Sequence, residues 1–244
     1  MTPVKTLSAS DVESASKSLE SQSAQEVLKW GLQQFSPRIG LASSFGAEDV
    51  VLIDLLVAID PTITVFTLDT GRLNEETYDV MERIRQKYKI SITSYFPNFE
   101  RVQTLERTKG FFSFRESIDN RKECCGIRKV EPLNRALSEL DAWITGLRRA
   151  QAVTRADVPK VELDAAHGHM VKLNPLADWS EQQVWDYIKT HHVPYNALHD
   201  RGYPSIGCAP CTRAIAPGED VRAGRWWWER PEQKECGLHR RDDR

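Results

Sequence analysis

The sequence predicts an α/β domain: a parallel sheet sandwiched between covering helices, followed by an irregular C-terminal tail. Strand-like and helix-like segments alternate between Arg38 and Tyr95, the pattern of a parallel sheet with crossover helices. Gly- and Ser-bearing turns stand at the carboxyl ends of the first two strand segments. At 244 residues and 40% hydrophobic, the chain can bury a core without disulfide staples.

Residues 1–23 are polar and Ser-rich, with Asp11, Glu13 and Glu20, and read as a flexible arm. They lack the apolar stretch of a signal peptide. No segment approaches the ~20 apolar residues that span a bilayer, so the expected setting is cytoplasmic, with no membrane contact. A net charge of −2 and a pI near 6.3 argue against a general nucleic-acid binder.

Arg38 to Phe45 reads as a strand entering a turn, and Ala47 to Ile59 as a buried helix. Ile63 to Leu68 is β-branched and aromatic, a second strand. Leu73, Thr77, Val80, Met81, Ile84 and Tyr88 recur at helical spacing, and Ile90 to Tyr95 is a third strand. Leu133, Leu137 and Leu140 share a helical face. Pro132 suits only the first turn of that helix, so a straight helix should not run back through Cys124-Cys125. Trp143 to Gly146 and His169 to Leu173 are further short strands. Ser180 and Gln183 form a capping-box pattern ahead of Val184, Trp185 and Ile188. After Pro194 the sequence shows no regular element. The expected organisation is an arm (1–23), a nucleotide-binding α/β domain (24–215) and a mobile tail (216–244).

Five features carry chemistry. Ser43, Ser44, Phe45 and Gly46 precede a helix start, where backbone amides can hold a phosphate; an ordinary strand–helix turn is the plainer reading. Glu48 and Asp49 must then face away from any anion. Asp69 and Gly71 close the next strand, where an Asp bonds a ribose hydroxyl or caps a helix. Cys124, Cys125, Cys208 and Cys211 form two close pairs, which fit a zinc site, a cubane cluster or buried inert thiols. Cys236 stands apart in a polar tail, where Lys234 and His239 would favour its thiolate; a stray exposed cysteine is the alternative. Basic residues flank these features, among them Lys129, Arg149, Arg155, Arg222 and Arg225, and could line an anion pocket. Trp226-Trp227-Trp228 packs the tail or shapes a surface.

Together SSFGAED (Ser43–Asp49), LDTG (Leu68–Gly71), CCGIRK (Cys124–Lys129), ITGLRR (Ile144–Arg149), CAPC (Cys208–Cys211) and KECGLH (Lys234–His239) resemble the assimilatory adenylyl-sulfate reductase family, from about Leu28 to about Arg240. The resemblance implies an adenine nucleotide alpha-hydrolase-like fold, a [4Fe–4S] cluster on Cys124, Cys125, Cys208 and Cys211, and Cys236 as nucleophile. It implies adenylyl sulfate as substrate, sulfite and AMP as products, and thioredoxin or glutaredoxin as electron donor. Catalytic roles fall on Cys236, His239 and Lys129. Substrate contacts fall on Ser43, Ser44, Phe45, Gly46, Asp69, Gly71, Arg149, Arg155, Arg222 and Arg225. Phe45 and Ala47 depart from the SGGxDS loop of ATP pyrophosphatases, which counts against ATP cleavage and against a tRNA-thiolating enzyme. A 3′-phosphoadenylyl-sulfate reductase is the nearer alternative. Oligomeric state is left open.

Overall fold

The computed structural model describes residues 7–152, 155–230, 234 and 237–238. Two helices open the chain, α1 (Ala9–Leu19) and α2 (Ala24–Phe35). The expected alternation follows: β1 (Ile39–Ala42), α3 (Ala47–Ile59), β2 (Thr64–Leu68), α4 (Glu75–Tyr88) and β3 (Ile92–Tyr95). Next come α5 (Phe99–Lys109), α6 (Ile118–Cys125), a π-helical segment (Gly126–Val130) and α7 (Glu131–Leu137). The chain continues through β4 (Ala142–Ile144), β5 (Val161–Asp164), β6 (Met170–Leu173) and α8 (Glu181–Thr190). No helix among the described residues is long and apolar enough to cross a membrane.

The six strands lie in the order β3-β2-β1-β4-β6-β5, all parallel except β5, which runs antiparallel at one edge. Alternation along the strands divides the core between the two faces. Val65, Ala142 and Ile144 pack with Val27, Leu28, Val50 and Val184 of α2, α3 and α8. Phe66 and Trp143 point the other way, onto Leu133, Ala136 and Leu137 of α7. This is the expected α/β/α sandwich.

Two expectations need correction. Residues 9–19 are a helix, not a loose arm. Ser8 and Asp11 close a capping box, and Val12 and Leu19, seven residues apart, are buried on one face. Ser16 Oγ donates to Val161 O at 2.7 Å, which ties α1 to β5. The stretch 221–229 is irregular, as expected, but it is packed onto the domain. Trp226 is 1% exposed, and Arg121 and Glu229 pair at 2.8 Å in the interior. As expected, no straight α-helix runs from the cysteine pair to Pro132, yet the backbone between them stays helical. It does so through the π segment, where Glu131 N donates to Gly126 O, five residues back. The wider turn accommodates a proline that a regular α-helix would reject.

Candidate functional site

Strand order reverses direction at β1: the chain goes from β1 outward to β2 and β3, then returns to place β4 on β1's other side. The carboxyl ends at such a switch point diverge and leave a crevice. A cavity of about 260 Å³ lies there, lined by Ser43, Ser44 and Gly46 after β1, Leu68 at the end of β2 and Thr70 beyond it, and Thr145 and Gly146 after β4.

The turn after β1 is tightly specified. Phe45 is fully buried with φ +58°, a conformation that bulky residues avoid unless their surroundings enforce it. It anchors the turn, and the cavity is lined by its neighbours. Asp49 folds back on the turn, its Oδ2 accepting from Ser44 N (2.6 Å) and Ser44 Oγ (2.8 Å). Burial pushes the Asp49 carboxyl up to about 6, against the opposing effect of the Ser44 hydrogen bonds. Glu48 is paired with Arg148 at 2.7 Å. Both acids line the cavity, Glu48 as half of an ion pair and Asp49 tied to the Ser44 amide and hydroxyl. The arrangement requires Gly146, because a Cβ there would lie 2.4 Å from Asp49 Oδ1.

The turn after β2 divides its labour. Asp69 does not line the cavity. It accepts from Gly71 N at 2.8 Å and from the Tyr78 hydroxyl at 3.0 Å, so it shapes the turn. Gly71 supplies the φ of +70° that the turn needs. Thr70 reaches both sites: its carbonyl accepts from Arg128 Nη1 at 2.7 Å, and its hydroxyl lies 3.2 Å from Cys208 Sγ.

Lys129, Arg155, Arg222 and Arg225 line the cavity. Arg155 Nη1 donates to Gln151 Oε1 at 2.6 Å, and Arg222 Nη2 to Lys234 O at 2.7 Å. Arg149 does not join them. Its guanidinium turns away to Val158 O and Glu20, a partner far off in sequence. Its neighbour Arg148 takes the place at the cavity wall. Sequence reasoning also missed Trp185 and His199, which pack edge to face at 5.1 Å along the same wall. Burial holds the His199 ring below its usual pKa.

A second, smaller cavity adjoins the first and is lined by all four cysteines of the two pairs, with Arg72, Arg128, Lys129 and Arg225 around them. None of the four is in a disulfide. Burial would raise the Cys208 thiol, but Lys129, the Thr70 hydroxyl, Arg225 and Arg128 hold it below its ordinary value. Cys211 is pushed up to about 12 by burial and by the neighbouring Cys208. Among the described residues, no three His, Cys, Asp or Glu side chains gather at the spacing of a single metal ion. Cys236 and His239 lie outside the described residues. Of the tail around them, Lys234 bonds Arg222, and Leu238 lines the switch-point cavity and packs against the Phe66–Trp143 cluster.

A family model described as the phosphoadenosine phosphosulfate reductase domain matches residues 38–214. An adenosine 5′-phosphosulfate reductase of Allochromatium vinosum is 54% identical over 204 residues, 84% of this chain and 79% of that protein. A chloroplastic 5′-adenylylsulfate reductase of Arabidopsis thaliana is 48% identical over 94% of this chain and 51% of that protein. Among solved structures, a phosphoadenylyl-sulfate reductase from Candida auris superposes with a TM-score of 0.73 at 30% identity, covering 87% of this chain and all of that one. The family match spans both turns and both cysteine pairs, and the chain belongs to the phosphoadenosine phosphosulfate reductase domain family.

Proposed function

We propose that the chain reduces adenosine 5′-phosphosulfate to sulfite and AMP, with electrons from protein thiols, as a step in sulfate assimilation and cysteine biosynthesis. The observation that carries this reading is one cationic wall, Lys129 and Arg225, shared by a switch-point cavity and a four-thiol cavity. Relatives named adenosine 5′-phosphosulfate reductase, 50–54% identical to this chain, favour the substrate without a 3′-phosphate.

The substrate's sulfur is electrophilic and AMP is a good leaving group. The Cys236 thiolate attacks that sulfur in line, an S–S bond forms, and the bridging S–O bond breaks with its electron pair leaving on AMP. Lys129, Arg155, Arg222 and Arg225 offset the charge of two anionic groups as the thiolate approaches. His239, three residues beyond Cys236, favours the thiolate. A donor thiolate of thioredoxin or glutaredoxin then attacks Cys236 Sγ. Sulfite departs with the bonding pair, and the donor's second thiol resolves the mixed disulfide.

The four-thiol cavity fits a [4Fe–4S] cluster better than zinc. A cubane gives each cysteine its own iron, so the sulfurs need not converge on one point. The surrounding cations match the anionic charge of such a group. Two buried donors without hydrogen-bond partners, Arg128 Nε and Trp226 Nε1, belong to residues lining the same cavity. Cys124, Cys125, Cys208 and Cys211 would hold the cluster, which supplies fixed negative charge and structural order rather than electrons in turnover. Lys129 lies four residues past Cys125 and spans the two cavities, so it would couple that charge to the substrate's.

The test is kcat/KM for adenosine 5′-phosphosulfate and for its 3′-phosphorylated form, with thioredoxin present. A clear preference for the first is expected. A preference for the second would move the chain to the sister activity.

A further inference from the structure

Arg225 stands where the two cavities meet. Its guanidinium is confined on several sides. A Cβ at Gly207 would lie 2.6 Å from its Cζ and 2.4 Å from its Nη2, so it rests on a backbone that only glycine leaves open. Its Cζ sits 4.7 Å from the centroid of the Trp226 ring. That indole receives a second guanidinium, Arg121, at 4.9 Å. Glu229 grips Arg121 in a two-point fork, Nε to Oε1 at 3.0 Å and Nη2 to Oε2 at 2.8 Å. Trp226 itself is buried at φ +39°, a conformation held only where the surroundings over-determine it.

A carboxylate partner orients an arginine but neutralises it. An aromatic face orients a guanidinium and leaves its charge available. Glu229 offsets the charge of Arg121, which lowers the repulsion between the two guanidiniums that share the indole. The sulfo end of a bound nucleotide must meet Cys236; Lys234 O accepts from Arg222, which lines the same cavity as Arg225, and Leu238 lines that cavity too.

We propose that Trp226 is a positioning residue. With Gly207, and braced by the Arg121–Glu229 pair, it fixes the Arg225 guanidinium in the orientation that receives the sulfo group. This rests on the reading of the chain as an adenosine 5′-phosphosulfate reductase.

Trp226→Leu keeps an apolar side chain but removes the aromatic face. It should lower kcat/KM for adenosine 5′-phosphosulfate on the order of tenfold, the range of a desolvated cation–π contact. Affinity for AMP, which has no sulfo group, should change by less than about twofold. Trp226→Phe should recover most of the loss. Added to Arg225→Ala, the Leu substitution should cost nothing further, because both act through one guanidinium. Gly207→Ala should reproduce the defect from the opposite contact, and it carries the test if the Trp226 variant fails to fold. Additive losses in the double variant, or equal weakening of AMP and adenosine 5′-phosphosulfate binding, would overturn the proposal. A wild-type protein that binds adenosine 5′-phosphosulfate without turning it over would sink the functional reading instead. The binding comparison between the two nucleotides would still decide the role of Trp226.

Discussion

At the scale of single residues, the basic wall and the turn acids bring opposite charges to one cavity. Lys129, Arg155, Arg222 and Arg225 present cations to the cavity, while Glu48 and Asp49 are tied back by Arg148 and Ser44. Arg222→Ala should lower kcat/KM by ~10–100-fold, the cost of one charge-assisted contact. Wild-type kinetics in that variant would return Arg222 to a purely structural bond with Lys234. Asp49 makes a separate prediction about pH. Its carboxyl rises from 3.8 to about 6 on folding, so the native state holds the proton more tightly than the unfolded chain. Stability is therefore lost as pH rises through that window, on the order of 2–3 kcal/mol by linkage. Asp49→Asn keeps an oxygen acceptor for Ser44 without the charge. Its advantage over wild type in urea unfolding should be near zero at the acid end of the window and grow towards neutrality. A constant difference across that range would remove the ionisation from the account. These pairings were half legible in the sequence. Helix electrostatics alone led to the expectation that both acids turn away from an anion; in fact both line the cavity, Glu48 held by Arg148 and Asp49 by Ser44. That Arg148 rather than Arg149 faces the cavity did not follow, because Glu20, which draws Arg149 off, lies 129 residues away in the chain.

At the scale of elements, the cysteine cavity is built where α6 passes through the π segment into α7, facing the short turn at Cys208–Cys211. The Pro132 argument located the irregularity but not its form, since a proline excludes a regular α-helix without choosing between a break and a wider turn. The helix α1 was hidden by its small polar residues, and only Val12 and Leu19 mark its buried face. Strand β5 gave no signal, being four residues at an antiparallel edge. The Trp226 run could be read only as a packing device of unknown target; its target is the pair of arginines beside the cysteines. Purification without oxygen should give about four iron and four sulfide per chain if the two elements hold a cubane. Cys208→Ser should lose both, together with the visible absorption. Zinc in place of iron would point to a structural metal module instead.

At the scale of the whole molecule, the alternation between Arg38 and Tyr95 gave the sheet's direction of growth, and its three strands are parallel neighbours as that pattern requires. The reversal at β1 that creates the crevice could not be read from periodicity, because β4 reaches β1 only after a long helical excursion. The switch-point cavity, the thiol-lined cavity and the anchored start of the tail thus meet at one end of the sheet. Their meeting makes sense if a tail thiolate takes a sulfo group from a nucleotide and hands it to an external thiol. Incubation with adenosine 5′-phosphosulfate and no reductant, followed by peptide mass mapping, tests this most directly. AMP release is expected, with a mass gain of about 80 Da, the SO₃ group transferred by nucleophilic catalysis, on the peptide containing Cys236 and removable by reduced thioredoxin. The same mass on another cysteine, or sulfite production by Cys236→Ser, would contradict it.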